Sequence, residues 1–362
     1  MSWRLLPIGE FQQYREQWQQ LNLAGPASPL LDLDFVIPLL TEFSTGKEVL
    51  ACHENGGRID AMGILSRSRP GVWQTFQPSQ APLGAWLQSS DVEWDHLLAA
   101  LRKKLPGFPL VVGITQQDPD LTPRPADSLH LRTQDYINTA TITIKGTFEE
   151  YWNARGKNLR SNMKKQRTKL SKDGIHTRLQ ISRAPEEVAA GIADYGRLES
   201  AGWKADIGTA VGADNAQGRF YRSMLEAFCR RGAGSIFRYW FDDKLVAMNL
   251  CIEGHGSMIV LKTTYDESVD NAFSPAFLMR EETCKLLFEG EAFERLEFYG
   301  KVMEWHLRWT SEQRTMYHVT DYRWPVLQDL RRLVGKSRNV EYPRSAAQAH
   351  TQSNQTQNTN VS

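Results

Sequence analysis

Cysteine is scarce here, and where it occurs it is scattered. Cys52, Cys229, Cys251 and Cys284 are the four in 362 residues, with no CxxC pair and no zinc-type spacing. That excludes a disulfide framework and a structural zinc site, and describes reduced, mostly buried thiols. The eight histidines form no HExxH and no cluster of ligands, so no metal is expected. A charge excess is missing too: 43 Lys and Arg stand against 42 Asp and Glu, a net +1. No global field therefore draws the protein to nucleic acid or to a membrane, and only local patches can. No apolar run approaches the ~20 residues of a membrane helix. Met1-Ser2-Trp3-Arg4 leads into a polar helix rather than a signal-peptide core, so the expected compartment is the cytoplasm. What remains, 41% hydrophobic and 23% charged, is a globular composition, and the length allows two domains with cores.

The most informative stretch runs from Ser257 to Gly290. Met258-Ile259-Val260-Leu261 reads as a largely buried strand. Lys262 to Asp266 follow where that strand should leave its sheet, and a polar loop, Glu267 to Asn271, comes next. Ser274-Pro275 then reads as a helix start: Ser as N-cap, Pro at the first helical position, where its missing N–H is not needed. Phe277, Leu278, Cys284, Leu287 and Phe288 supply the apolar positions, and Gly290 the end. A strand that parts into a loop and a helix N-terminus makes a pocket. Free N–H groups and the helix dipole there favour an anion such as a pyrophosphate or carboxylate. The same pattern also suits an ordinary strand–loop–helix unit.

Alternation predicts strands at Lys47–His53 and Arg58–Ser66 around the Asn55-Gly56-Gly57 turn, and at Val72–Phe76, Phe108–Ile114 and Tyr136–Ile144. Helices are predicted at Glu10–Leu21, Pro29–Phe43 and Trp94–Lys104, with a helical turn opened by Pro82. Thr147-Phe148-Glu149-Glu150 is a capping box. It opens a basic helix that ends at Gly174, with a possible break at Gly156. Arg155, Lys157, Arg160, Lys164, Lys165, Arg167, Lys169 and Lys172 occupy its faces, with no acid before Asp173. Such a row, over residues 155–172, can contact a polyanion or lie on an anionic membrane surface; it is equally a solvated helix face. It lacks the interleaved aromatics of single-strand binders, so no specific DNA binding is expected. From about Arg344 the chain is Ser, Gln, Asn, Thr and Ala with little to bury, which reads as a disordered tail.

Two segments match in pattern. Arg58-Ile59-Asp60-Ala61-Met62-Gly63-Ile64-Leu65 resembles Lys244-Leu245-Val246-Ala247-Met248-Asn249-Leu250-Cys251. Each follows a turn after an apolar strand, and each is followed by a strand, a Pro-started element, a helix and a short apolar strand. That shared order indicates two copies of one α/β unit. Gln74-Thr75-Phe76 stands in the first copy where Lys262 and its loop stand in the second, so the first reads as scaffold or substrate wall.

A family resemblance rests on an ordered set of residues. Glu199-Ser200-Ala201-Gly202-Trp203-Lys204, Phe220-Tyr221, Leu245-Val246-Ala247, Leu261-Lys262-Thr263-Thr264-Tyr265-Asp266 and Ser274-Pro275 resemble the GNAT-superfamily acyltransferases of the cellulose-biosynthesis (CelD/BcsL-like) type, which are close to the FemAB peptidyltransferases. The resemblance is clearest from Phe148 to Trp309. It implies an α/β fold with a mixed sheet in two tandem GNAT-like domains, set at residues 1–140 and 141–335, with a tail at 336–362. It also implies transfer of an acyl or aminoacyl group to an amine or hydroxyl of a sugar or envelope precursor, with acyl-CoA or acetyl-CoA as donor. One feature departs: the usual glycine-containing pyrophosphate loop is missing, since Asn271 to Ala276 holds no glycine. An aminoacyl-tRNA donor, or a non-catalytic subunit of a polysaccharide-synthesis system, therefore stands beside the CoA-dependent enzyme.

Acyl transfer needs a positioned donor carbonyl, an oxyanion stabiliser and a path for the proton. The strand at Val260–Lys262 is the candidate for the first two. Glu199 and Asp266 are candidate bases and Tyr265 the candidate acid; the alternatives are a solvated helix-end carboxylate for Glu199 and a turn cap for Asp266. Trp203 and Lys204, in a Gly-flanked loop, suit a sugar or nucleotide face with a nearby anion, or anchor the loop on the core. Lys262 and Lys301 are candidate substrate contacts; for Lys262 the alternative is a salt bridge. Ser274, Ala276 and Phe277 are candidate donor-binding positions through the helix N–H groups. His306 ranks low, because a lone His is more often structural.

Overall fold

The computed structural model describes residues 2–200, 211–212 and 214–328. The first half contributes strands β1 (Ser2–Pro7), β2 (Val49–Asn55), β3 (Arg58–Arg69), β4 (Val72–Thr75), β5 (Trp86–Gln88) and β6 (Val111–Gln117), with helices α1 (Arg15–Ala24), α2 (Leu33–Phe43) and α3 (Trp94–Lys104). β7 (Leu131–Thr143) leads into the second half, which opens with α4 (Phe148–Asn153), α5 (Lys157–Lys172), β8 (Thr177–Ser182), α6 (Val188–Ser200) and α7 (Ala216–Arg230). It continues with β9 (Gly234–Phe241), β10 (Lys244–Gly254), β11 (Ser257–Tyr265), α8 (Pro275–Glu289), β12 (Arg295–Phe298), α9 (Glu304–Trp309) and β13 (Gln313–Tyr322).

These strands form one mixed sheet, and the repeat is visible in it. The hairpin β2–β3, then β4, α3 and β6 parallel to β4, is matched by the hairpin β9–β10, then β11, α8 and β12 parallel to β11. Parallel neighbours need a crossover, and α3 and α8 supply it. The halves then exchange strands. β7 follows β6 in the chain yet pairs with β12, β13 follows β12 yet pairs with β6, and β7 and β13 pair with each other. The expected boundary at 140/141 falls inside β7.

One face of the sheet carries α1, α2, α6 and α7 over a common core that includes Trp18, Phe35, Ile192, Phe220 and Leu250. Phe35 of α2 and Phe220 of α7 meet edge to face at 5.4 Å. The other face is covered in two pieces. α3 lies over the first half through Trp94, Leu97, Leu98 and Leu101; α5, α8 and α9 lie over the second through Met163, Leu278, Cys284 and Trp309. β10 is buried on both sides, Met248, Leu250 and Ile252 toward one core and Ala247 and Cys251 toward the other. Burial on both sides is why it reads as an almost unbroken apolar run.

Several boundaries differ from expectation. Residues before the first helix form β1, whose Trp3 is buried and donates from Nε1 to Leu97 O at 2.9 Å; six residues without alternation give no strand signal. The segment after Pro82 forms β5 on β3 instead of a helical turn. The basic helix is two helices: the Thr147 capping box opens α4, and Gly156 is the N-cap of α5. α9 was not expected, and the tail at 336–362 lies outside the described residues.

Candidate functional site

The site begins with a defect in strand pairing. Leu250 of β10 faces Lys262 of β11, but Cys251 faces Val260, so Leu261 has no partner in β10. Such a bulge turns a strand and ends regular pairing. β11 and β12 are paired only as far as Val260 and Phe298; β11 then runs on to Tyr265 with no described strand on that side. The result is a notch at the C-terminal ends of two parallel strands, edged by backbone N–H and C=O groups.

The corresponding notch of the first half is filled. β4 and β6 separate after Gln74 and Gly113. Thr75 and Thr115 close the gap through their hydroxyls at 2.6 Å, with the Thr115 amide donating to Thr75 Oγ1 at 3.0 Å. Gly84 seals it further: a Cβ there would lie 2.4 Å from Thr115 O, so only glycine fits.

On the α6–α7 side of the notch, the Lys262 ammonium stands 5.8 Å from the centre of the Tyr221 ring. Glu199, in the last turn of α6, is 3% exposed and accepts from the Val211 amide at 2.8 Å. It is a buried carboxylate, not a solvated one. Burial and the Glu199 charge together push the phenols of Tyr195 and Tyr221 up, so Tyr221 is the shared neighbour of Glu199 and Lys262.

On the α5–α8 side, Thr263 Oγ1 donates to Asn249 Oδ1 at 2.7 Å. Tyr265 is 47% exposed, and partial burial pushes its phenol up. Asp266, on the α6 side with Asp194 and Leu198, receives Lys244 Nζ at 2.7 Å and the Ser268 amide at 2.8 Å. Burial alone would raise its pKa, but those partners hold it below the usual carboxylate range. It has the geometry of a turn cap. Lys301 is exposed three residues beyond Phe298. Trp203 and Lys204 lie outside the described residues.

The N-terminus of α8 is more fully committed than its sequence suggests. The Ser274 hydroxyl caps nothing; its amide donates to Gln166 Oε1 of α5 at 2.8 Å. Pro275 has no N–H, and the amides of Phe277 and Leu278 turn back to Ser274 O at 2.9 and 3.0 Å. In that turn only the Ala276 amide lacks a partner among the described residues. The Phe277 ring packs edge-on against Trp309 at 5.6 Å.

The basic row is also partly consumed. Arg155 donates to Trp309 O at 2.5 Å. Arg167 bridges to α8, reaching Glu281 at 2.9 Å and Glu282 at 2.8 Å. Lys169 pairs with Asp173 at 2.7 Å; with the outward lysines at 164, 165 and 172 it rims an open depression of about 560 Å³.

Two arginines that local pattern did not single out are the most buried cations near the notch. Arg314 of β13 pairs with Asp118 and Glu297. Arg280, 2% exposed, lies beneath Phe298 at the base of the notch. The one signal for Arg280 is spacing: it stands three residues after Phe277 and four before Cys284, on the apolar face of α8.

Residues 157–323 match the acetyltransferase (GNAT) domain family. No curated protein matches the chain. Among solved structures, FemX is similar with a TM-score of 0.55 at 10% identity, covering 88% of this chain and 98% of that one. The C-terminal (DUF2156) domain of an Agrobacterium fabrum protein assigned as a lysylphosphatidylglycerol synthetase gives 0.52 at 13% identity, covering 90% and 97%. A conserved Bacteroides thetaiotaomicron protein of unknown function gives 0.51 at 8%, covering 89% and 99%. At such identities the likeness is one of fold alone. No described helix is long and apolar enough to cross a membrane. The second half thus matches the acetyltransferase (GNAT) domain over residues 157–323, the first half repeats its strand order, and the whole is a mixed α/β fold of GNAT-like strand order.

Proposed function

We propose that the protein transfers an acyl group to an amine or hydroxyl of a sugar or other envelope precursor in the cytoplasm, with an acyl-CoA as donor. The observation that carries this reading is the open notch between β11 and β12, bulged at Leu261, in the half that matches the GNAT domain. A carbonyl placed there meets backbone N–H donors that do not reorganise as charge develops on its oxygen. In this reading Glu199 takes the proton from the attacking acceptor, and Tyr265 returns one to the leaving group. Lys262 and Lys301, with Trp203 and Lys204 from the α6–α7 connection, hold the acceptor. The first turn of α8, at Ser274, Ala276 and Phe277, meets the donor. Asp266 keeps the end of β11 in place. An envelope acceptor is in keeping with one fold neighbour's assignment as a lysylphosphatidylglycerol synthetase.

A second reading, aminoacyl-tRNA as donor, is favoured by one observation. The α8 N-terminus offers a single uncommitted amide, a thin cradle for a pyrophosphate, while the lysines of α5 offer a phosphate-binding row.

Thermal melting with acetyl-CoA, longer acyl-CoAs and free CoA separates the two. A ligand at about 100 times its dissociation constant adds about 2.7 kcal/mol, a readily visible shift. A shift lost in Ala276→Pro, which removes the uncommitted amide, puts the donor at the first turn of α8. No shift with any CoA compound sinks the CoA-dependent reading.

A further inference from the structure

Arg280 breaks a rule that the other buried arginines obey. Arg102 is paired with Asp321, Arg238 with Asp194 at 3.0 Å, and Arg314 with Asp118 at 2.8 Å. Arg280 is as buried as any of them, yet its guanidinium has no hydrogen bond and no ion pair among the described residues, and its Nη1 is fully enclosed. A buried charge without a counter-charge costs far more than a buried neutral group.

Among the described residues, its surroundings supply no negative charge. The Phe298 ring centre is 4.5 Å away and that of Trp305 is 5.6 Å away. Cys251, Cys284 and Tyr151 are its electrostatic neighbours, and burial pushes all three up, Cys284 to about 11, so they are neutral at pH 7. His306 is neutral as well, lowered to about 4 first by burial and then by Arg280. The cluster carries one positive charge and nothing to balance it.

The position is informative. Phe298 is the last β12 residue paired to β11, so Arg280 stands where the two strands begin to part. Two more buried donors without acceptors among the described residues lie in the same layer between the sheet and its helices. They are Asn249 Nδ2, two residues from Cys251 on β10, and Trp309 Nε1, whose ring packs on Phe277 one turn before Arg280. All three orphan groups are N–H donors, and what they lack is oxygen.

We propose that the base of the notch is a carboxylate-binding site with Arg280 as its charge partner, and that the guest entering between β11 and β12 carries a carboxylate. A monoanion balances the cluster; a phosphate dianion would leave a net charge buried. A planar guanidinium set in the corner of two nearly perpendicular rings offers the fork geometry that a carboxylate matches. The identity of the guest rests on the acyl-transfer reading: the carboxylate belongs either to the acyl chain of the donor or to the acceptor. The anion site itself does not depend on that reading.

The test is thermal melting of the full chain, wild type and Arg280→Met, with acetyl-CoA, succinyl-CoA and free succinate. Succinyl-CoA binding at least about tenfold tighter than acetyl-CoA, with the difference erased in Arg280→Met, establishes the site with the carboxylate on the donor. A shift with succinate alone, abolished in Arg280→Met, also establishes it; the CoA reading then fails while the site stands. Equal shifts with both CoA esters and none with succinate overturn the site and leave the CoA reading intact. No shift with any of the three overturns both, as does a succinate preference retained in Arg280→Met. Arg280→Met removes an unpaired charge and is expected to melt higher than wild type without ligand. Should it fail to fold, Arg280→Lys keeps the charge and loses the fork, and is expected to weaken succinate binding about tenfold.

Discussion

Arg314 on β13 clasps Asp118, just past β6, with Nε at 2.9 Å and Nη2 at 2.8 Å, and reaches Glu297 on β12 with Nη1 at 2.7 Å. One side chain thus ties the exchanged strand β13 to the end of β6 in the first half and to β12 in the second. Burial alone would lower the Arg314 pKa, but its two acids raise it; burial keeps Glu297 above its usual range in spite of Arg314. Arg314→Ala leaves the buried Asp118 without its counter-charge and Glu297 with Arg295 at 3.6 Å, and is expected to cost about 3–5 kcal/mol. Arg314→Met combined with Asp118→Asn and Glu297→Gln should cost clearly less. Urea unfolding of the two variants checks this; equal losses would mean that the ion pairs are not what matters there.

His306 sets an acid limb. Its folded pKa of about 4 lies below the ordinary 6.5, because the ring is buried first and faces Arg280 second. Above pH 6.5 it is neutral in both states and contributes nothing. As pH falls from 6.5 toward 4 the unfolded chain takes up a proton that the folded one refuses, so stability is lost, by roughly 3 kcal/mol at most. Melting from pH 7.5 to 4 should show this slope in wild type and a flatter one in His306→Gln.

The basic row divides into structure and surface. Arg167→Ala removes the bridge from α5 to Glu281 and Glu282 and is expected to cost about 2–4 kcal/mol. Lys164, Lys165 and Lys172 changed together to Ser should leave the melting temperature within a degree or two. If α5 serves a polyanion or an anionic membrane, that triple variant loses tRNA or anionic-vesicle binding with a reduced salt slope. Sedimentation with vesicles, and filter binding with tRNA, read the two directly.

Lys262 and Glu199 share Tyr221 as neighbour. Lys262→Met should melt within about 1 kcal/mol of wild type, the worth of a cation–π contact. Once an acceptor is in hand, it should lose at least about tenfold in kcat/KM. A variant with full activity would remove Lys262 from the acceptor side of the notch.

Some of this was legible along the chain and some was not. The order of strands and helices in each copy showed because hydrophobic period and turn residues are local, as at Asn55-Gly56-Gly57 and the Thr147 capping box. Ser274 stands where its residue type placed it, as the N-cap residue before Pro275, but its hydroxyl makes no cap bond, and its amide donates to Gln166, more than a hundred residues earlier. Asp266 as turn cap was open in the sequence and needed Lys244 and Ser268 in space to be seen.

The two α/β copies, the strand that leaves its sheet at Lys262 and the helix that starts at Pro275 are written in the residue order, because each depends on neighbours a few residues away. Contacts in space alone make β7 and β13 change places, fill the first notch with Thr115 and Gly84, and bury Arg280 without a partner among the described residues. Each of those is a matter of what stands opposite in space, where sequence separation carries no information and a missing counter-charge leaves no local trace.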